Sequence, residues 1–177
     1  MHIALTGAHG VGKTTLGEVL VSKLASNHSV ALIPETAREL VRLGLKVNEE
    51  MNEEGFISYI QLYLRAVRET NAEIVISDRS LFDLYLYTHR GNNPIRHSYI
   101  EMLYELVFLE ASLVDFYVYL PIEFPMMADT IRPPDVSFQK QVDDAAVKLL
   151  KEFKMKTVEA RGSISDRCAT IIRRLTG

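Results

Sequence analysis

The chain has 177 residues, 47% of them hydrophobic and 24% charged, a mixture that suits one globular domain spanning residues 1–177 with no bias toward disorder. Its 20 Lys and Arg against 23 Asp and Glu leave a formal net charge of −3, which weighs against a protein whose main task is to grip a polyanionic backbone. The single cysteine, Cys168, excludes an internal disulfide framework and a Cys-rich zinc site, and no stretch approaches the ~20 apolar residues of a membrane helix. The first apolar segment runs at once into a glycine-rich motif, unlike a cleavable leader. These features lead us to expect a soluble protein of a reducing compartment, the cytoplasm.

The apolar run His2–Thr6 is the first predicted strand, and the glycine-rich segment from Gly7 to Gly12 leads from it into an amphipathic helix carrying Leu16, Val19, Leu20 and Leu24. Val30–Ile33 is a second strand, closed by Pro34. Ala37–Leu45 reads as a short helix ending near Gly44, and Asn52–Thr70 as a long one with Ile57, Ile60, Leu64 and Val67 on its apolar face. Ile74–Ser77 is a third strand, unbroken and rich in β-branched residues, as befits a strand covered on both faces. A helix over Leu81–His89, the loop Gly91–Pro94, a helix over Tyr99–Ala111 and a strand over Leu113–Leu120 follow. The Pro133–Pro134 segment is read as an exposed loop, Val142–Phe153 as a helix, Thr157–Ala160 as a fifth strand and Ile164–Leu175 as a closing helix with Cys168 buried on it. Strands joined by helical crossovers imply an α/β fold with a parallel sheet and helices on both faces. The apolar face of Tyr99–Phe108 packs either in the core or across a homodimer axis; periodicity leaves both open.

Gly7-Ala8-His9-Gly10-Val11-Gly12-Lys13-Thr14 matches G-x-x-x-x-G-K-[ST] between a strand and a helix. Glycines let successive backbone N–H groups curl around a phosphate, and the helix that follows adds its positive N-terminal end. The motif predicts a purine nucleoside triphosphate with Mg²⁺, with Lys13 reaching the β- and γ-phosphates and Thr14 in the metal shell. Thr15 continues the loop, and His9, at a variable position, is read as filler within it.

A phosphate loop alone does not separate a GTPase, a mechanical ATPase and a small-molecule kinase. No N-K-x-D guanine-reading motif occurs, and the third strand ends in Asp78-Arg79-Ser80 where many hydrolytic ATPases carry an Asp-Glu pair. A transferase is favoured. The second strand leads to Glu35 and Arg38, and carboxyl ends of strands in an open α/β sheet surround the ligand crevice. Glu35 there can accept a proton from an attacking hydroxyl, Arg38 one turn on can hold a phosphate or carboxylate, and Asp78 can bind Mg²⁺. Arg132, in the Pro-rich loop, is placed to close over a transferring phosphoryl group, with Asp129 and Asp135 shaping that loop.

Together GAHGVGKTT, PETAREL, SDRSLFD and DTIRPPDVSFQKQVDDAAVKLL resemble the P-loop nucleoside and nucleotide kinases, most of all the small AAA-domain kinases that include nicotinamide riboside kinase domains. The resemblance implies a P-loop NTPase three-layer sandwich with a five-stranded parallel sheet and a small lid over about residues 125–140. From deoxynucleoside kinases it implies a general base at Glu35 supported by Arg79, a base-reading Gln61 with Arg68 near the catalytic glutamate, Arg132 on the ATP phosphates, and an adenine-side loop at Ala160–Ser163 that includes Gly162. The spacing from Asp78 to Asp83 is one residue shorter than in that family, so the sugar-binding role is not carried over to Asp83.

The reading is ATP- and Mg²⁺-dependent phosphoryl transfer to a nucleoside- or nucleotide-like small molecule, with Lys13, Mg²⁺ and Arg132 countering charge on the γ-phosphoryl oxygens. If the acceptor is itself a phosphate, Arg38 and Arg79 serve as its clamp. Phe56, Tyr59, Phe82 and Tyr85 are candidates to sandwich a base, at least two of them being expected in the core instead. Two alternatives stand beside it: a nucleotide-dependent regulatory ATPase that binds a partner protein, and a kinase acting on a nucleotide within a nucleic acid, for which Arg161, Arg167, Arg173 and Arg174 would form a basic patch.

Overall fold

The computed structural model describes residues 1–47, 50–88, 94–125 and 136–176. The elements in chain order are β1 (His2–Thr6), α1 (Lys13–Leu24), β2 (Val30–Ile33), α2 (Thr36–Arg42), α3 (Glu53–Glu69), β3 (Ile74–Asp78), α4 (Leu81–Thr88), α5 (His97–Leu113), β4 (Phe116–Tyr119), α6 (Val136–Glu152), β5 (Thr157–Glu159) and α7 (Ile164–Thr176). The five strands form one parallel sheet in the order β2-β3-β1-β4-β5. Every residue of β4 and all but the first of β1 are buried, which requires helices on both faces, whereas the edge strands β2 and β5 are only partly covered. This is the predicted α/β fold. Helix α1 packs with α7, and α4 packs with α5 and α6.

Chain reversal at the centre of the sheet positions the site. From β1 the chain crosses to β2 and β3 on one side, then continues through β4 and β5 on the other, so the crevice forms at the carboxyl end of β1. The register sets Leu5 beside Asp78 of β3 and beside Val118 of β4. Gly7, immediately after β1, has φ 133°, and a Cβ there would lie 2.5 Å from the Leu120 carbonyl oxygen. Only glycine lets the loop pass this close to the exit of β4.

Three expectations need correction. Helix α3 buries Phe56, Tyr59, Ile60 and Tyr63, while Ile57 and Leu64 face solvent; the large aromatics claim the interior and rotate the apolar face from the predicted stripe. Helix α5 continues through Leu113, its last turn closed by the Val114 N–H on the Glu110 carbonyl, so β4 starts only at Phe116. Helix α6 begins at Val136 rather than at the expected Val142; residues 126–135 of the expected lid region, with Asp129, Arg132 and Asp135, lie outside the described residues.

Helix α4 is held at its N-terminus by a buried carboxylate from another helix. Glu110 accepts from the Leu81 and Phe82 N–H groups at 3.1 and 3.2 Å and from the Tyr117 hydroxyl at 3.2 Å. Its negative charge meets the positive end of the helix, while burial pushes its own carboxyl above the ordinary range. Glu110→Ala leaves the buried Leu81 N–H and the Tyr117 hydroxyl without this acceptor, while the Phe82 N–H keeps Ser80 Oγ at 3.2 Å; we expect a loss of about 2–4 kcal/mol in urea unfolding, and a loss below about 1 kcal/mol contradicts this account.

Candidate active site

The loop from Gly7 to Gly12 turns back on itself through left-handed glycines, with φ 75° at Gly10 and 90° at Gly12, and delivers the chain into α1 at Lys13. Lys13 Nζ donates to the Gly7 and Ala8 carbonyls at 2.9 and 2.5 Å, spanning the loop that would hold a phosphate chain. Burial pushes the ammonium down to about 7, with Arg79 adding to the effect and Asp83, Asp78 and Glu35 opposing it. An arriving polyphosphate supplies the negative charge that this buried amine lacks. Beside it, Thr14 Oγ1 donates to Asp78 Oδ2 at 2.5 Å. Two hard oxygen donors in contact at the start of α1 suit Mg²⁺, which keeps most of its shell for water and substrate phosphates and needs few protein ligands. No cluster of three or more His, Cys, Asp or Glu that could hold a metal ion occurs among the described residues.

A chain of alternating charges runs from this loop along the strand ends. Thr6 Oγ1, the last side chain of β1, donates to Asp83 Oδ1 at 3.1 Å, and Asp83 Oδ2 accepts the Ser80 N–H at 3.1 Å. Arg79 reaches Asp83 Oδ1 at 3.4 Å through Nη1 and Glu35 Oε1 at 2.8 Å through Nε. Glu35 Oε2 then meets Arg38 Nε at 3.4 Å. Burial pushes the Asp83 carboxyl up to about 6, although Arg79 and Lys13 pull it down. Arg79 has φ 78°, a left-handed conformation uncommon for a side chain of this size, and its N–H donates to the Leu5 carbonyl at 3.1 Å. The Tyr87 ring lies 4.9 Å from the guanidinium, so an aromatic face and two carboxylates fix its position. Glu35, Ala37, Met51, Tyr59, Asp83 and Tyr87 are among the residues that line a narrow cleft around Arg79.

A family model for the AAA domain matches residues 2–167. The chain belongs to this AAA-domain family. Its fold is similar to that of a thymidylate kinase from Ehrlichia chaffeensis, with a TM-score of 0.64 and 19% identity over 99% of this chain and 98% of that one. At that identity the likeness establishes the shared fold alone; 249 chains of solved structures match. No curated protein matches the chain in sequence.

Within this AAA-domain chain, the structure brings Lys13, Thr14, Asp78, Glu35, Arg38 and Arg79 to one edge of the sheet. Gln61 and Arg68 do not join them: both lie on the exposed face of α3, and neither lines the cleft. Thr15 is exposed on α1. Of the four aromatics considered for a base sandwich, only Tyr59 reaches the cleft; Phe56 stacks on Tyr99, and Phe82 and Tyr85 pack edge-on to Phe153. Gly162, with φ 83°, sits on the opposite side of the loop, where its N–H donates to Glu123 Oε2 at 2.9 Å.

Two contacts around the loop escaped sequence reading. His9 is more than filler: its Nδ1 lies 3.3 Å from the Tyr87 hydroxyl, its ring stacks on Phe138, and its carbonyl accepts from buried Gln139 at 2.7 Å, tying the loop to α4 and to the first turn of α6. Arg167, assigned to a basic surface patch, is 1% exposed and donates to the Val11 carbonyl. Spacing on an amphipathic helix gave no signal for either contact.

The buried amine predicts a proton-linked ligand. With its ammonium pushed down to about 7 by burial, Lys13 is expected to lose its proton progressively above that pH in the empty protein, and phosphate charge beside it would raise its affinity for a proton. Calorimetric titration with ATP·Mg²⁺ in buffers of different ionisation enthalpy should show uptake of about 0.9 proton at pH 8 and close to none at pH 6. Uptake that stays flat across that range contradicts the assignment.

Proposed function

We propose that this protein is an ATP- and Mg²⁺-dependent kinase that transfers the γ-phosphoryl group to a nucleoside- or nucleotide-like small molecule bound in the Glu35–Arg79–Asp83 cleft. One observation carries the reading: the phosphate loop and the carboxylate-lined cleft share a single strand-end edge, joined directly by the Thr6–Asp83 hydrogen bond. A hydrolase needs only a water beside the γ-phosphate, whereas a walled cleft with its own acid–base pair is what an acceptor requires. The AAA-domain family and the P-loop kinase fold agree with this.

In this reading Lys13 leaves its carbonyl partners to bridge the β- and γ-phosphate oxygens, and the loop amides hold the chain in line with the cleft. Bound Mg²⁺, held by Thr14 and Asp78, would neutralise charge between the phosphates. Glu35, oriented by Arg79, accepts the proton of the acceptor hydroxyl as its oxygen bonds to the γ-phosphorus and the bond from that phosphorus to the β,γ-bridging oxygen breaks, releasing ADP. Arg38, half exposed at the cleft mouth, meets an acceptor phosphate if one is present. Asp83 keeps Arg79 at the right height. Tyr87 stacks on the Arg79 guanidinium and keeps water from its upper face.

Coupled ADP release with a panel of nucleosides, nucleoside monophosphates and nicotinamide riboside tests the proposal. Acceptor-dependent release should appear for one class, and Lys13→Ala should abolish it. Glu35→Gln should lower kcat by about 10²–10⁴-fold with a hydroxyl acceptor. Release that no member of the panel accelerates would overturn the small-molecule kinase reading in favour of a nucleotide-dependent ATPase.

A further inference from the structure

Arg167 is a buried cation 156 residues away in sequence from the loop it touches. Nη1 donates to the Val11 carbonyl at 2.6 Å, Nη2 to Glu123 Oε2 at 2.9 Å, and Nε has no hydrogen-bond partner among the described residues. Its side chain is 1% exposed, and a Cβ added at Gly12 would lie 3.7 Å from Nη1. As packing alone, this is a poor choice: burying a guanidinium with one nitrogen left without a partner costs more than an apolar side chain of the same length.

The contact has geometric value at the loop. Among the described residues all peptide bonds are trans, and in a trans peptide the C=O and the following N–H point in opposite directions. Holding the Val11 carbonyl toward α7 therefore turns the Gly12 N–H away from α7. A charged donor on the carbonyl also polarises the peptide and makes that N–H a stronger donor to an anion. Gly12 has φ 90°, where the chain has freedom to rotate the peptide unless something holds it. Glu123 neutralises the guanidinium, so the contribution of Arg167 is orientation more than net charge. Glu123 also accepts the Gly162 N–H, and Arg161 approaches its other oxygen at 3.9 Å, which joins the β5–α7 loop to the same anchor.

We propose that Arg167 is a positioning residue for the triphosphate: acting through the Val11–Gly12 peptide, it holds the glycine-rich loop in its anion-binding form, with Glu123 tying this anchor to the β5–α7 loop. The inference rests on the nucleotide-binding reading of the loop and requires no particular acceptor.

Calorimetric titration with ATP·Mg²⁺ and with Mg²⁺ tripolyphosphate, a base-free probe of the loop, tests it on wild type, Arg167→Met and Arg167→Lys, well below each unfolding midpoint. Arg167→Met should weaken both ligands by about fivefold or more. Arg167→Lys should do the same, because one ammonium nitrogen cannot span Val11 and Glu123 as the planar fork does. A purely structural role would lower the unfolding midpoint and leave the affinities of the folded variants within about twofold of wild type; affinity losses short of fivefold overturn the proposal. If Arg167→Met does not fold, Arg167→Lys decides on the same threshold. A wild type that binds neither ligand overturns the kinase reading and this inference together, whereas variants that bind as wild type does overturn this inference alone.

Discussion

The parallel pairing of β1 with β3 is the constraint on which the rest of the site depends. With Leu5 held beside Asp78, the glycine-rich loop must leave the sheet where β3 delivers Asp78 and Arg79. A slip of one residue would turn Asp78 to the other face and replace it beside Thr14 with Ser77 or Arg79. The same register lets the Arg79 N–H donate to the Leu5 carbonyl, extending the ladder by one rung into a left-handed residue. The glycine-rich loop, the Thr14–Asp78 pair and the cleft around Arg79 thus descend from one set of backbone hydrogen bonds.

Electrostatics explains why so many charges tolerate burial at that edge. Arg79 is 7% exposed and Asp83 1% exposed, yet each has partners of opposite sign or backbone donors. Lys13 is the exception. It is buried among carbonyls, and burial, with Arg79 nearby, pushes its ammonium down more than Asp83, Asp78 and Glu35 hold it up. A buried amine short of full charge beside the glycine-rich loop is an arrangement that a ligand bringing negative charge would complete.

What the sequence disclosed, and what it withheld, follows from the range of the interactions involved. The strands β2 and β3 were legible as unbroken apolar runs with β-branched residues, and the phosphate loop as a motif whose chemistry is local backbone geometry. Glu35 and Arg79 were legible because strand ends converge in any sheet of this type. The buried face of α3 was not, since apolar residues occur around most of the helix and only packing chooses Phe56, Tyr59 and Tyr63 over Ile57 and Leu64. Contacts such as His9 with Tyr87, and Arg167 with Val11, join residues 78 and 156 positions apart. Periodicity has no access to such pairs, and Arg167 looks in sequence like any surface arginine on an amphipathic helix.

The distance between Val11 and Arg167 along the chain has a consequence for synthesis. The glycine-rich loop is translated long before β3, β4 and α7, so β1 waits for both of its neighbours and the loop waits for its guanidinium. Pairings this remote form late, since long loops must close before the contacts reward them. A nascent chain with only its first elements made has the motif in full and the site not at all. A ligand that binds the finished loop more tightly than the unfinished one would draw the population toward chains whose last helix has docked, by mass action.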